Sequence, residues 1–100
     1  MPERSFQLGM AQILIEGGRP KANLDRAVRA VRQAADLGCR VVVLPECLDL
    51  GWTDPSAREL AQSIPGPHVD RLANAARMAN VFVAAGLAER QHLGFVTRKF

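Results

Sequence analysis

Val41-Val42-Val43-Leu44, followed at once by Pro45 and Glu46, constrains the fold of this chain more than any other stretch. Four consecutive aliphatic residues are too few for a buried helix and too uniform for a strand with one wet face. They read as a strand covered on both faces, the habit of parallel sheets in α/β proteins. Pro45 lacks a ladder donor and stops the strand. A carboxylate, Glu46, and a thiol, Cys47, then sit side by side at its end.

The flanking segments supply what such a strand needs. Upstream, apolar residues at Leu24, Ala27, Val28, Val31 and Ala35 form a helical stripe within 23–37, with Arg26, Arg29, Arg32 and Asp36 directed elsewhere. Asp25 and Arg29 have the spacing of a supportive helix pair, and Gly38 stands where a C′ glycine ends a helix. Before it, Phe6, Leu8, Met10 and Ile13-Leu14-Ile15 make a first strand that runs to a turn at Gly17-Gly18. Downstream, Val69, Leu72, Ala73, Ala76 and Ala79 predict a second helix after Pro67, and 81–88 predicts a third buried strand. The expected order is β-α-β-α-β, an α/β fold. Residues 49–67 form a long connection with a short helix, for which Ser56 and Glu59 have capping-box spacing and Asp54-Pro55 is an alternative start.

One hundred residues allow a single domain at most. The net charge is +3, but eleven of the thirteen basic residues are arginines scattered from Arg4 to Arg98, and no basic block or aromatic interleaving marks a nucleic-acid surface. No apolar run approaches the ~18 residues of a membrane span. Two cysteines are too few for a disulfide framework, and a cytoplasmic setting is expected.

Position favours function for Glu46, because open α/β sheets gather chemical groups beyond the carboxyl ends of their strands. A glutamate there can also serve only to solvate a loop. Glu46 and Cys47 are poorly placed to exchange a proton, since adjacent residues of an extended chain point to opposite faces. Cys39, seven residues back, is farther still, and both thiols read as small buried hydrophobes. Gly17-Gly18 matches no phosphate-binding pattern and reads as a tight turn. His68 and His92 lack neighbours at ligand spacing, so no metal site is expected. Trp52, the single tryptophan, is a candidate for lining a pocket mouth, with packing of the connection as the alternative.

The segments "FQLGMAQI", "NLDRAVRAVRQAADLGCRVVVLPE", "GW", "IPGP" and "VFVAAGLAER" together resemble the amino-terminal part of the nitrilase superfamily of carbon–nitrogen hydrolases, over residues 6–90. The resemblance implies one partial domain in 1–100, a β-α-β-α-β portion of an α-β-β-α sandwich. It implies hydrolysis of a small amide or nitrile by a Glu-Lys-Cys triad without cofactor, with Glu46 as the general base, Trp52 near the substrate and a possible homo-oligomer. The family's lysine and cysteine lie farther along than this chain extends. Its tail, 91–100, departs from the pattern, and Lys99 comes too early to take the lysine's role. The chain is therefore expected to be a fragment, inactive alone and prone to self-association through uncovered strand faces. The alternative is a non-catalytic remnant that assembles with a related subunit.

Overall fold

The computed structural model describes residues 4–91 and 94–99, with side chains from Arg4 to Arg90. Strand β1 (Gln7–Met10) leads through a loop to helix α1 (Pro20–Asp36), then strand β2 (Cys39–Val43). A long connection holding the short α2 (Ala57–Leu60) leads to α3 (Pro67–Ala79) and strand β3 (Phe82–Ala84), and β4 (Gly86–Gln91) and β5 (Gly94–Lys99) complete the order. β1, β2 and β3 pair in parallel with β2 in the centre, while β4 and β5 form a separate antiparallel pair. The expected β-α-β-α-β order is present, and the sheet is parallel as the aliphatic run required.

Helix α1 begins three residues earlier than its apolar stripe suggested, because Pro20 occupies the first turn, where a missing N–H costs nothing. Leu24, Ala27 and Val31 are buried beneath it. Gly38, at φ +91°, takes the left-handed conformation that lets the chain leave the helix directly for β2. Asp25 does not pair with Arg29 as its spacing suggested. It lies 2.9 Å from Lys21 one turn earlier and 2.8 Å from Arg71 on α3, so it ties the two helices together. These two cations hold its carboxyl below the usual aspartate range. Arg26 likewise folds back over the preceding loop to meet Glu16 and the Leu14 carbonyl.

The first strand is shorter than its composition implied. Ile13 and Ile15 leave β1 and pack as loop residues against the core cluster of Leu24, Val31, Val42, Leu48, Leu72 and Leu87. The strand expected over 81–88 breaks at Ala85, with β3 staying in the parallel sheet and β4 crossing the end of β2. Gly86 eases the crossing, since a Cβ there would lie 3.0 Å from the Glu46 Cα, tighter than nearly all such contacts, and backbone would have to yield.

Coverage on both faces is the expectation the structure overturns. Register places Gly9, Val42 and Val83 on one face, where the two longer helices pack and Val42 is fully buried. Leu8, Val41 and Phe82, with Met10, Val43 and Ala84, share the other. On that face Leu8 is 51% exposed, Phe82 71% and Met10 76%. The run 41–44 is uniformly aliphatic, yet helices cover only one side of β2.

Candidate functional site

Beyond Val43 the chain makes a turn over 46–50. Glu46 is exposed and Cys47 is buried, so the two side chains do part, though not for the reason an extended strand would give. Strand geometry has already ended. Cys47 adopts φ +49°, an uncommon conformation for a residue with a Cβ, and this turns its side chain inward.

Backbone hydrogen bonds hold this turn to the start of β4. The Leu48 amide donates to the Gly86 carbonyl at 3.1 Å, the Gly86 amide to the Pro45 carbonyl at 3.4 Å, and the Leu44 amide to the Ala84 carbonyl at 2.8 Å. Glu46 thus leaves the rim of the sheet from a backbone fixed on both sides.

Below it lies a polar network that the sequence reading missed. Asp49 is fully buried; its Oδ1 accepts from the Leu50 amide at 3.0 Å and the Ala88 amide at 3.1 Å, and its Oδ2 lies 2.9 Å from His68 Nδ1. Asn23, also fully buried, donates to the Asp49 carbonyl at 2.9 Å while its amide bonds both the N–H and the C=O of Glu16 at 2.8 Å. The buried polar side chains of this network are met, as a low-dielectric interior requires. The signal was present: Asp49 is the single acid in an otherwise apolar stretch, 47–50. Its long-range partners lie 19 to 39 residues away, beyond the reach of spacing arguments.

Trp52 is 67% exposed and lines a cavity of about 430 Å³ together with Cys47, Asp54, Ala57, Arg58 and Ala88. Glu46 does not line it, and a larger groove of about 520 Å³ between α1 and α3 lies away from Glu46 altogether. At the edge of the Trp52 cavity the capping box does not form. The Ser56 side chain makes no cap, and instead the Ser56 amide donates to Asp54 Oδ1 at 2.9 Å. The Ser56 hydroxyl and amide hold the Asp54 carboxyl below its usual range. Among the described residues no group of three His, Cys, Asp or Glu could hold a metal ion, and no helix is long and apolar enough to cross a membrane. His92 lies outside the described residues, and Lys99 is described only through its strand backbone, paired with Gly86.

A parallel sheet with helices packed on it and an acid at the rim of its central strand places the chain in the α/β class, whose ligands gather beyond the carboxyl ends of the strands. The comparisons with known proteins narrow this. The chain belongs to the carbon–nitrogen hydrolase family, whose model matches residues 7–98 and so extends through most of the tail that sequence reading had set aside. It is 29% identical over 89 residues to an omega-amidase of Xenopus tropicalis, covering 89% of this chain and 32% of that protein. It is 34% identical over 82 residues to an omega-amidase of Danio rerio, covering 81% and 29%. The chain thus spans about a third of the length of the curated relatives it matches. Its fold is similar to that of a CN-hydrolase superfamily protein from Xanthomonas campestris solved with an arsenic adduct in the active site, at a TM-score of 0.80 and 16% identity over 98% of this chain and 40% of that one. A glutamine-dependent NAD+ synthetase from Acinetobacter baumannii shares it more loosely, at a TM-score of 0.61 and 17% identity over 95% and 19%.

Proposed function

We propose that these residues are the amino-terminal portion of a hydrolase acting on a small amide or nitrile in the cytoplasm, and that Glu46 is its general base. The observation that carries this is the placement of Glu46, exposed at the rim of β2 on a backbone held by Gly86 and Leu48. In the reaction read for the family, the base takes the proton of a cysteine thiol as its sulfur attacks the amide or nitrile carbon. A lysine stabilises the charge that develops; for an amide the base returns the proton to the departing nitrogen, and the same base, again deprotonated, activates water to cleave the thioester and release the acid and the thiol. Neither described cysteine suits the nucleophile. Cys47 is turned away from Glu46, and Cys39 lies at the opposite end of β2. The relatives' name, omega-amidase, favours an amide over a nitrile, and Trp52 at its cavity is the proposed contact with substrate.

A second reading is favoured by the bare face of the parallel sheet: a non-catalytic remnant that assembles with a related subunit through Leu8, Met10 and Phe82. One experiment separates the two. Residues 1–100 are assayed on small amides alone, and then after co-expression with the remaining two thirds of a relative, which bring a lysine and a cysteine. Turnover that arises only on co-expression and is lost in Glu46→Gln supports the hydrolase reading. Assembly without turnover supports the remnant, and turnover indifferent to Glu46→Gln removes Glu46 from the mechanism.

A further inference from the structure

We propose that Asp49 and His68 are a positioning pair that fixes the turn carrying Glu46, a role whose catalytic meaning rests on Glu46 being the base described above. Asp49 follows Glu46 by three residues and sits between Leu48 and Leu50, all three fully buried. A fourth apolar side chain would fill that place without the cost of desolvating a carboxylate. What a carboxylate adds is direction. Through Oδ1 it holds the Ala88 amide of β4, through Oδ2 it meets His68 on the first turn of α3, and its carbonyl takes the Asn23 amide of α1. One residue therefore joins the Glu46 turn to three elements that approach it from different sides.

The pair also completes a clamp on β4. The Leu48 amide holds the Gly86 carbonyl and Asp49 holds the Ala88 amide, so the turn is bonded to β4 at two points two residues apart. Gly86, packed on the Glu46 Cα, lies at one end of that clamp, so register between turn and strand decides where Glu46 leaves the backbone. His68, with its side chain 13% exposed, is the outer member. By bonding Oδ2 it leaves Oδ1 directed at β4. The two substitutions that shorten this ring differ usefully: an asparagine amide nitrogen falls near the place of Nδ1, whereas alanine offers no donor.

The test is hydrogen exchange, followed by mass spectrometry on the whole 100-residue chain, of wild type, His68→Ala and His68→Asn. In His68→Ala the segments covering 46–50 and 86–90 are expected to exchange about tenfold faster or more, since a buried hydrogen bond is lost and a buried carboxyl oxygen is left unmet, while residues 24–31 of α1 keep the wild-type rate. The rate of carbodiimide labelling of Glu46 is expected to change severalfold in the same variant. His68→Asn should restore both to within about twofold. Acceleration of α1 in step with the turn, or failure of His68→Ala to fold, would make the pair merely structural and overturn the proposal. An unchanged turn, unchanged labelling of Glu46, or an asparagine variant that behaves like alanine overturns it too. No substrate enters these measurements, so a failure of the hydrolase reading leaves their outcome standing, and the reverse holds.

Discussion

Replacing Phe82 by serine should abolish a weak self-association of this chain. Leu8, Met10 and Phe82 share the helix-free face of the parallel sheet, and their exposures of 51%, 76% and 71% leave roughly two whole apolar side chains in water. At ~1.5–3 kcal/mol for each side chain fully buried, that is about 3–6 kcal/mol per copy, and about 6–12 kcal/mol when two copies meet face to face. Association itself costs about 4–15 kcal/mol, so even the most favourable balance, about 8 kcal/mol, corresponds to a dissociation constant of about 1 µM, and any complex is reversible and no tighter than that. A two-fold contact counts each substitution twice. Removing the exposed part of Phe82 forfeits roughly 1–2 kcal/mol in each copy, which weakens the dimer about 30- to 700-fold. Sedimentation velocity from 5 to about 500 µM, roughly the range set by that balance, should show the wild type shifting with concentration and Phe82→Ser remaining monomeric, with less binding of a hydrophobic dye. A wild type that stays monomeric and dye-free throughout, or a variant that associates as strongly, would refute the reasoning.

Three further outcomes follow from the geometry. Gly86→Val places carbon against the Glu46 backbone, which has no side-chain freedom to yield, and should destabilise by about 1–3 kcal/mol in denaturant unfolding. Leu24→Ala, in a core site that is 2% exposed, should cost about 2–5 kcal/mol in the same assay. Asp25 has its folded-state carboxyl pKa lowered below 3.8 by Lys21 and Arg71. Its contribution is therefore complete above that value and is lost as the pH falls through the folded-state value. Asp25→Asn should lower the neutral plateau of a thermal-stability profile slightly and flatten the acid limb by the same amount, so that the two profiles converge at acid pH; the change is small because the pair is solvent-screened. An acid limb as steep as that of the wild type would count against the Asp25 bridge between α1 and α3.

Periodicity located the elements because it reports what a helix or strand buries. The stripe from Leu24 to Val31 faced the core as read, whereas in the run at 41–44 only Val42 and Leu44 are buried in it. Boundaries failed where a single backbone property outweighed the pattern: Pro20 extended α1 backwards, and Gly86 split an apolar stretch that looked continuous. Coverage failed for another reason. An aliphatic face records that a strand is suited to burial, and the covering layer need not lie within the same hundred residues. The buried network of Asn23, Asp49 and His68 was illegible because polar pairing depends on which distant segments the fold brings together, and no local rule states that.

The same distinction separates Glu46 from Cys47. Their adjacency invites a proton transfer, and an alternating strand would keep them apart, but β2 stops at Val43 and that argument lapses. What separates them is the left-handed backbone of Cys47, which turns the thiol into the protein while Glu46 stays at the rim. A residue with a Cβ holds such a conformation only where its surroundings over-determine it. Here those surroundings are the Gly51 amide on the Cys47 carbonyl at 2.8 Å, the Leu48 amide on Gly86, and Asp49 anchored to Ala88 and His68. The contacts that bury the neighbouring thiol also present the carboxylate. If Glu46 is the general base proposed above, this geometry leaves its carboxylate at the rim and the adjacent thiol out of its reach.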